Sequence, residues 1–213
     1  LSLESNGLLS RQSFSKGQKG FDQVLRQLGY VQIDTINVIE RCHHHIFYTR
    51  MPDYKKSMLT KAQSEKKSLF EYWTHALAYI PTEDLPYYLS SMNRFKEVKN
   101  TWFGSVSEQE YKKVIELIKK QGPLTIRDIK DDNLVEKKHL WASRKPSKKI
   151  LQFGFYRGDL VISKRHQMLK EYELSLRHFN LKKWPKAENE KSVAEYHIRR
   201  SLQSQNLVSL DSI

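Results

Sequence analysis

The chain has 213 residues, and its 37 Lys and Arg residues outnumber 24 Asp and Glu residues, which gives a formal net charge of +13. Hydrophobic residues make up 38% and aromatic residues 11%, so the composition supports a packed core and excludes a disordered protein. The single cysteine, Cys42, excludes an internal disulfide and predicts a reducing, cytoplasmic compartment. No apolar run approaches the length that crosses a bilayer and no signal peptide is recognisable, so we expect no membrane contact.

The basic residues are concentrated in one stretch. Residues 137–170 contain ten Lys or Arg and a single acid, Asp159, for a local net charge of +9. A concentrated positive field favours a polyanionic partner, and neutralising phosphates is the main sequence-independent source of nucleic-acid affinity. The charge therefore predicts a nucleic-acid partner; the alternative is a basic surface that serves solubility alone.

The first half of the chain is predicted to be mostly helical, with one pair of strands. Gly29 ends the second helix and Pro52 ends the third, whose apolar positions Ile39, Cys42 and Ile46 follow helical spacing. The predicted elements, in chain order, are helices at 2–10, 21–28 and 35–49, a loop at 53–68, strands at 69–74 and 76–80, and a helix that opens at 82–84.

The order of helices and strands is easier to predict in the second half of the chain. Ser107 to Glu110 form a capping box, after which an apolar stripe predicts a helix that ends at Gly122 and Pro123. The remaining predicted elements are a short helix at 125–128, a helix from 146 to about 158, strands at 160–165 and 169–174 that turn near His166, and a helix from 189. Three helices followed by a hairpin is the order of a winged helix.

The predicted fold class is therefore mainly α with short β-hairpins (α+β), built from tandem winged-helix modules. The predicted modules span 1–105 and 106–186, and residues 187–213 begin a third, truncated module. In the second module, basic residues fall on the recognition helix and on the wing, where this motif contacts DNA: Lys145, Lys148 and Lys149, then Lys164, Arg165 and His166. The alternative is that these modules bind protein, as some winged helices do.

A Gln and an Asp stand two apart in the apolar stretch Val31-Gln32-Ile33-Asp34. If residues 30–34 are extended, Val31 and Ile33 point into the core, while Gln32 and Asp34 share an open face. That pair can hold a water molecule, and a carboxylate near an anomeric carbon can activate it and stabilise an oxocarbenium-like transition state. The alternative is that Asp34 or Thr35 caps the following helix.

Three consecutive histidines, His43, His44 and His45, raise the question of a metal site. Neighbours on a helix point about 100° apart, and Phe47 occupies the position four residues after His43, so the spacing does not favour chelation. We predict packing for one histidine and DNA contacts for His43, His44 and Arg50, with no metal and no cofactor. Neither a Gly-rich phosphate loop nor an HExxH or paired CxxC motif is present.

Several blocks together resemble the AlkZ/YcaQ family of winged-helix DNA glycosylases. They are LGYVQID, VIERCHHHIFYTRMPDY, LFEYWTHALAYIP, GPLTIRDI and FGFYRGDLVIS, and the matches keep their order from about residue 3 to residue 200. The Gln-x-Asp form of the motif resembles the YcaQ-like branch, whereas the AlkZ-like branch has Gln-x-Gln. Family members continue further, through a third winged helix into a β-rich domain, so we expect this chain to be an N-terminal fragment.

The resemblance implies a monofunctional glycosylase that removes N7-alkylated purines from double-stranded DNA, including interstrand crosslinks, in the bacterial cytosol. It implies that Asp34 activates the water and stabilises positive charge at the sugar, while Gln32 helps to hold that water. We expect a monomer. A cationic N7-alkylated guanine leaves as a neutral base and needs little protonation, and a crosslinked base does not require a deep flipping pocket.

Two other functions compete with the glycosylase. A non-catalytic winged-helix regulator would share the charge and the modules, but an Asp facing DNA repels phosphate. A metal-dependent nuclease would need a carboxylate cluster that the sequence lacks. Tyr30, Trp73 and Tyr156 are candidates for side chains that wedge into the duplex, although we expect each of them in the core.

Overall fold

The computed structural model describes residues 2–10, 13–97, 103, 106–131 and 145–209. The chain divides into two compact units. Unit 1 comprises residues 1–88 and 186–213, and unit 2 comprises residues 89–185. The fold is mixed α and β, with two small antiparallel sheets in the described residues, as the sequence predicted.

The elements of the described residues are, in chain order, α1 (Ser2–Ser5), α2 (Gly17–Leu28), β1 (Val31–Gln32), α3 (Cys42–Tyr48), α4 (Lys56–Ser64), β2 (Leu69–Trp73), β3 (Leu77–Pro81), a 3₁₀ turn (Thr82–Asp84), α5 (Leu85–Glu97), α6 (Glu108–Gln121), β4 (Leu124–Thr125), α7 (Pro146–Tyr156), β5 (Leu160–His166), β6 (Leu169–Leu174), α8 (Ser175–His178) and α9 (Glu190–Gln205). The predicted strand pairs, the capping box at Ser107 and the helices after Thr82, after Pro146 and from 189 are all confirmed. No helix in this described set is long and apolar enough to cross a membrane.

Unit 1 is a helical layer on a three-stranded sheet of order β1-β3-β2. Strand β1 pairs antiparallel with β3, and Val31 lies opposite Tyr79. The core under the sheet is aromatic, since Phe21 of α2 stacks on Phe47 of α3 at a centroid distance of 4.4 Å, and Phe47 stacks on Tyr54 at 5.1 Å. Burial of these rings fixes α2 and α3 beneath the sheet edge that carries β1.

Unit 2 repeats this topology. Its sheet has the order β4-β6-β5, and Leu124 of the short strand β4 lies opposite Tyr172 of the hairpin. In each unit a helix is followed by a two-residue strand, a helix precedes the hairpin, and the short strand pairs with the second hairpin strand. This is the arrangement of a winged helix, so the tandem winged-helix fold class is confirmed.

Two predictions in unit 1 are wrong, for different reasons. Residues 53–68 were predicted as a loop because they are rich in Lys and Ser, but they form α4, since Lys is a good helix former and Leu59 and Ala62 pack inward. The predicted helix at 35–49 begins only at Cys42, because Asp34 Oδ1 accepts a 2.8 Å hydrogen bond from Ile36 N–H and holds a turn instead.

Two further helix predictions also fail. The predicted helix at 125–128 is the end of β4 followed by a turn, because Asp128 Oδ2 accepts from both the N–H and the hydroxyl of Thr125, each at 2.7 Å. The first helix, predicted over 2–10, ends at Ser5, and Gly7 beyond it has a φ of +68°.

Helix α9 packs against α1 and α2, and a buried polar cluster joins it to the 3₁₀ turn. Asp84 accepts a 3.0 Å hydrogen bond from the Tyr196 hydroxyl and forms an ion pair with Arg200. The ring of Tyr196 stacks on Tyr87 at 4.1 Å. The predicted modules 1–105, 106–186 and 187–213 stay a prediction.

Candidate functional site

Strand β1 sets the orientation of the Gln-x-Asp motif. Val31 and Ile33 are buried, Gln32 is exposed and Asp34 is partly exposed, so the predicted alternation is confirmed. The pairing continues past β1, because Ile33 N–H donates to the carbonyl of Leu77 at 2.8 Å. The sheet edge therefore holds the backbone of the motif while both polar side chains face outward.

One carboxylate oxygen of Asp34 can still accept a hydrogen bond on this open face. Its Oδ1 accepts from Ile36 N–H, and its own backbone N–H points at Nδ1 of His43 at 3.4 Å. Within the described residues Oδ2 accepts no hydrogen bond, and the amide of Gln32 makes none. Because α3 begins at Cys42 with Arg41 as its N-cap, the alternative that Asp34 or Thr35 caps this helix is wrong.

The three histidines occupy different environments. His43 is buried with its ring 4.4 Å from that of His44 and 5.8 Å from Tyr79, while His44 Nδ1 lies 2.8 Å from the Tyr54 hydroxyl. His45 is exposed, and its Nε2 lies 3.1 Å from the carbonyl oxygen of Glu40. Across the described ranges, no cluster of three or more His, Cys, Asp or Glu side chains is arranged to hold a metal ion.

Burial governs the charge of His44 and the role of Arg50. Burial lowers the pKa of His44 to about 4, so the imidazole is neutral at pH 7. Arg50 is also buried and donates to the carbonyls of Asn6 and Ile46 at 2.6 and 3.0 Å, which ties α3 to the N-terminal segment. These contacts serve the fold, and DNA contact by His43, His44 and Arg50 stays a prediction.

Cys42 was expected in the core, but its side chain is partly exposed at the start of α3. Burial and the negative charge of Asp34 both raise the pKa of the thiol above its usual range. The thiol is therefore neutral at pH 7, and it lies within electrostatic range of the candidate carboxylate.

Two of the three wedge candidates are exposed instead of joining the core. Tyr30 precedes β1 and is 39% exposed, and Trp73 at the end of β2 is 49% exposed. The ring of Tyr30 meets that of His75 edge-on at 5.3 Å, beside the hairpin turn. Tyr156 is different, since it is partly buried and stacks on Phe95 of unit 2 at 5.0 Å.

The recognition helix of unit 2 presents some of its predicted cations to solvent. Lys148 is exposed and Lys149 partly exposed on α7. Lys145 instead donates to the carbonyls of Ile126 and Ile129 at 2.9 and 2.8 Å, and so fastens the start of α7 to the preceding turn. The first part of the basic stretch, residues 137–144, lies outside the described residues.

The wing of unit 2 carries the other predicted cations. Lys164 and Arg165 are partly exposed on β5, and His166 is exposed at the turn. His166 Nε2 lies 3.1 Å from a carboxylate oxygen of Glu171 on β6. DNA contact by these three side chains, and by those of α7, stays a prediction.

Known proteins resemble this chain both in sequence and in structure. Residues 25–213 match a family described as DNA glycosylase AlkZ-like. The chain belongs to the AlkZ-like DNA glycosylase family. It is also similar in structure to the Streptomyces sahachiroi DNA glycosylase AlkZ, with a TM-score of 0.60 at 16% sequence identity. The match covers 96% of this chain and 55% of that one, so this chain spans about half the length of that AlkZ-like glycosylase.

Two features of this AlkZ-like chain escaped the sequence prediction. Helix α4 occupies the position before the hairpin in unit 1, where a winged helix has its recognition helix. The segment 35–41 is an exposed loop, although Ile39 was assigned to the apolar stripe of a helix. The Asx turn at Asp34 was the signal available in the sequence, because Asp competes for backbone N–H groups.

Proposed function

We propose that this chain carries the catalytic motif of a monofunctional DNA glycosylase that hydrolyses the N-glycosidic bond of N7-alkylated purines, including those in interstrand crosslinks. The observation that supports the proposal is that Gln32 of β1 and Asp34, two residues further along, both have solvent-accessible side chains, with Oδ2 of Asp34 accepting no hydrogen bond from the described residues. The proposal includes double-stranded DNA as substrate, a monomeric enzyme and a bacterial cytosolic location.

The proposed reaction is a hydrolysis at C1′ of the damaged nucleotide. The C1′–N9 bond breaks, and its electron pair neutralises the cationic purine, which leaves without a general acid. The negative charge of Asp34 stabilises the oxocarbenium-like sugar, and its Oδ2 takes the proton of the water whose oxygen bonds to C1′. Gln32 orients that water through its carboxamide, which can both donate and accept. The products are a free base and an abasic site.

The open position of the motif suits a crosslinked substrate. A base that is tied to the opposite strand cannot rotate fully out of the duplex, so the catalytic groups must reach the sugar at the surface. Gln32 is exposed and Asp34 is reachable from solvent, and no cofactor is needed for the displacement. These features support glycosidic hydrolysis on bulky or tethered bases.

Base release from a duplex that contains a single N7-alkylguanine tests the proposal. We expect release by the full chain above the uncatalysed rate, and a loss of about 100-fold or more in Asp34→Asn, with DNA affinity equal or higher because a negative charge is removed. Glu65→Gln is the matched control, since it removes an exposed carboxylate at the end of α4. Comparable turnover by Asp34→Asn would remove Asp34 from the chemistry.

The second candidate function is a non-catalytic winged-helix DNA-binding protein. Two winged-helix units and the cations of the unit 2 wing favour it as well. The two functions separate in the same assay, because a regulator binds DNA and releases no base from any alkylated duplex. Tight binding without release by the parent would establish the regulator.

A further inference from the structure

An exposed apolar tip follows directly after the Gln-x-Asp motif. Ile36 is 68% exposed, and Val38 and Ile39 are each 88% exposed, which makes them among the most exposed large apolar side chains of the described residues. Three such residues within four positions are unusual at a protein surface, where apolar side chains normally scatter singly. An exposed apolar cluster of this kind typically marks a binding surface, so we expect a partner to cover the tip.

The tip is held in place by contacts at both ends. Asp34 Oδ1 accepts from Ile36 N–H at 2.8 Å, and Asn37 and Arg41 form an antiparallel bridge that closes the loop. Glu40 makes an ion pair with Lys56, at the start of α4, which lowers the pKa of Glu40 to about 2. These contacts hold Val38 and Ile39 out into solvent.

We infer that Val38 and Ile39 form an apolar wedge that enters the DNA duplex beside the damaged nucleotide and opens the base stack there. This inference rests on the proposed function. It explains how an open catalytic site reaches a damaged base that is still stacked in the duplex. Minor-groove proteins use such side chains in this way, because an apolar wedge between base steps offsets part of the lost stacking.

The surroundings of the tip identify DNA as the occupant. The cations Arg41 and Lys55 lie at its base and at the adjoining start of α4, where they suit phosphates that flank an inserted wedge, while Lys56 is paired with Glu40. The tip is also continuous with the candidate catalytic face. Val38 is four positions after Asp34, so the Cα atoms of the two residues lie at most about 14 Å apart, a span of a few base steps.

The test uses a duplex with a fluorescent adenine analogue next to an N7-alkylguanine, whose emission rises when the analogue unstacks. We expect the full chain to raise this emission, and Val38→Ser with Ile39→Ser to lose at least about half of the rise. Base release by this variant should fall about 10-fold or more on the paired duplex, and should stay unchanged on the same lesion in a single strand. Leu207→Ser is the control, since Leu207 is 87% exposed outside the tip.

Other outcomes overturn the wedge. An unchanged emission rise in the double variant, or an equal loss of release on paired and single-stranded lesions, would exclude it. A parent that self-associates in sedimentation, with the association lost in the variant, would assign the tip to a second copy of the chain. If the parent releases no base anywhere but still raises an emission that the variant loses, the wedge stands and the proposed glycosylase activity falls.

Discussion

Replacing Arg200 with Met is expected to weaken the attachment of helix α9 to the rest of unit 1. The side chains of Arg200 and Asp84 are 17% and 7% exposed, and Arg200 also donates to the carbonyl of Arg26 at 2.7 Å. In the variant Asp84 remains buried with the Tyr196 hydroxyl as its remaining described partner. A buried carboxylate that loses its cation keeps the full penalty of desolvation.

The expected loss in the free energy of unfolding is about 3–5 kcal/mol, the range for breaking one side of a buried ion pair. For a unit of this size such a loss lowers the melting temperature by about 10 °C or more. Asp84→Asn in the Arg200→Met background should recover part of the loss, because the uncharged amide still accepts from Tyr196 and is less costly to bury.

Calorimetry on the parent, the two single variants and the double variant gives this coupling as a double-mutant cycle. Lys191→Met is the matched control, since its partner Glu195 is on the same helix at 3.9 Å and both side chains are well exposed, so its effect should be within about 1 kcal/mol. A melting temperature for Arg200→Met equal to that of the control, or a double variant no more stable than Arg200→Met, would refute the buried-pair argument.

Two more predictions concern pH and salt. The folded pKa of His44 is about 4 against an unfolded value near 6.5. The contribution of neutral His44 to the free energy of unfolding is therefore complete above pH 6.5 and is lost as the pH drops through 4. Urea titrations between about pH 7.5 and about pH 5 should show a loss of about 2 kcal/mol that His44→Gln removes, and an undiminished loss would contradict this. If Lys164 and Arg165 neutralise two phosphates, replacing both with Ala should reduce the slope of log affinity against log salt by about 1.8, whereas Lys119→Ala on α6 should leave it unchanged.

The parts of the fold that follow a strong local pattern could be predicted from the sequence. The alternation around Gln32 gives the faces of β1, the Ser107 capping box gives the start of α6, and Gly29 ends α2 in a left-handed conformation with φ of +79°. Such signals act within a few residues of the chain, so they can be recognised without knowledge of the tertiary contacts.

Tertiary contacts decided one mispredicted element, and a local turn decided another. Helix α4 has few apolar residues, and its inward face includes Gln63, whose amide donates to buried Glu71 at 2.9 Å. Ile39 has the spacing of a helical core residue, but the turn at Asp34 diverts the chain before a helix can form. The exposed tip at Val38 and Ile39 was not predicted because of that turn, since apolar side chains at helical spacing indicate a buried face unless the turn is known.

The two winged-helix units provide an internal comparison for the short strand that carries the motif. Val31 of β1 lies opposite Tyr79, and Leu124 of β4 lies opposite Tyr172, so the two strands correspond residue by residue. Gln32 then corresponds to Thr125. The corresponding residues have the same backbone pairing, and differences between them therefore do not arise from the topology.

Two residues further along, unit 1 has Asp34 and unit 2 has Arg127. Unit 2 has the same sheet topology with an exposed Arg there, but its chain already turns at 126–128, so the two positions differ in backbone conformation. An arginine is also the better choice for a surface that only binds phosphates. The acid in unit 1 holds the turn to Ile36 through its Oδ1 and is unfavourable for simple DNA binding, whereas the proposed activation of a water molecule gives its Oδ2 a role.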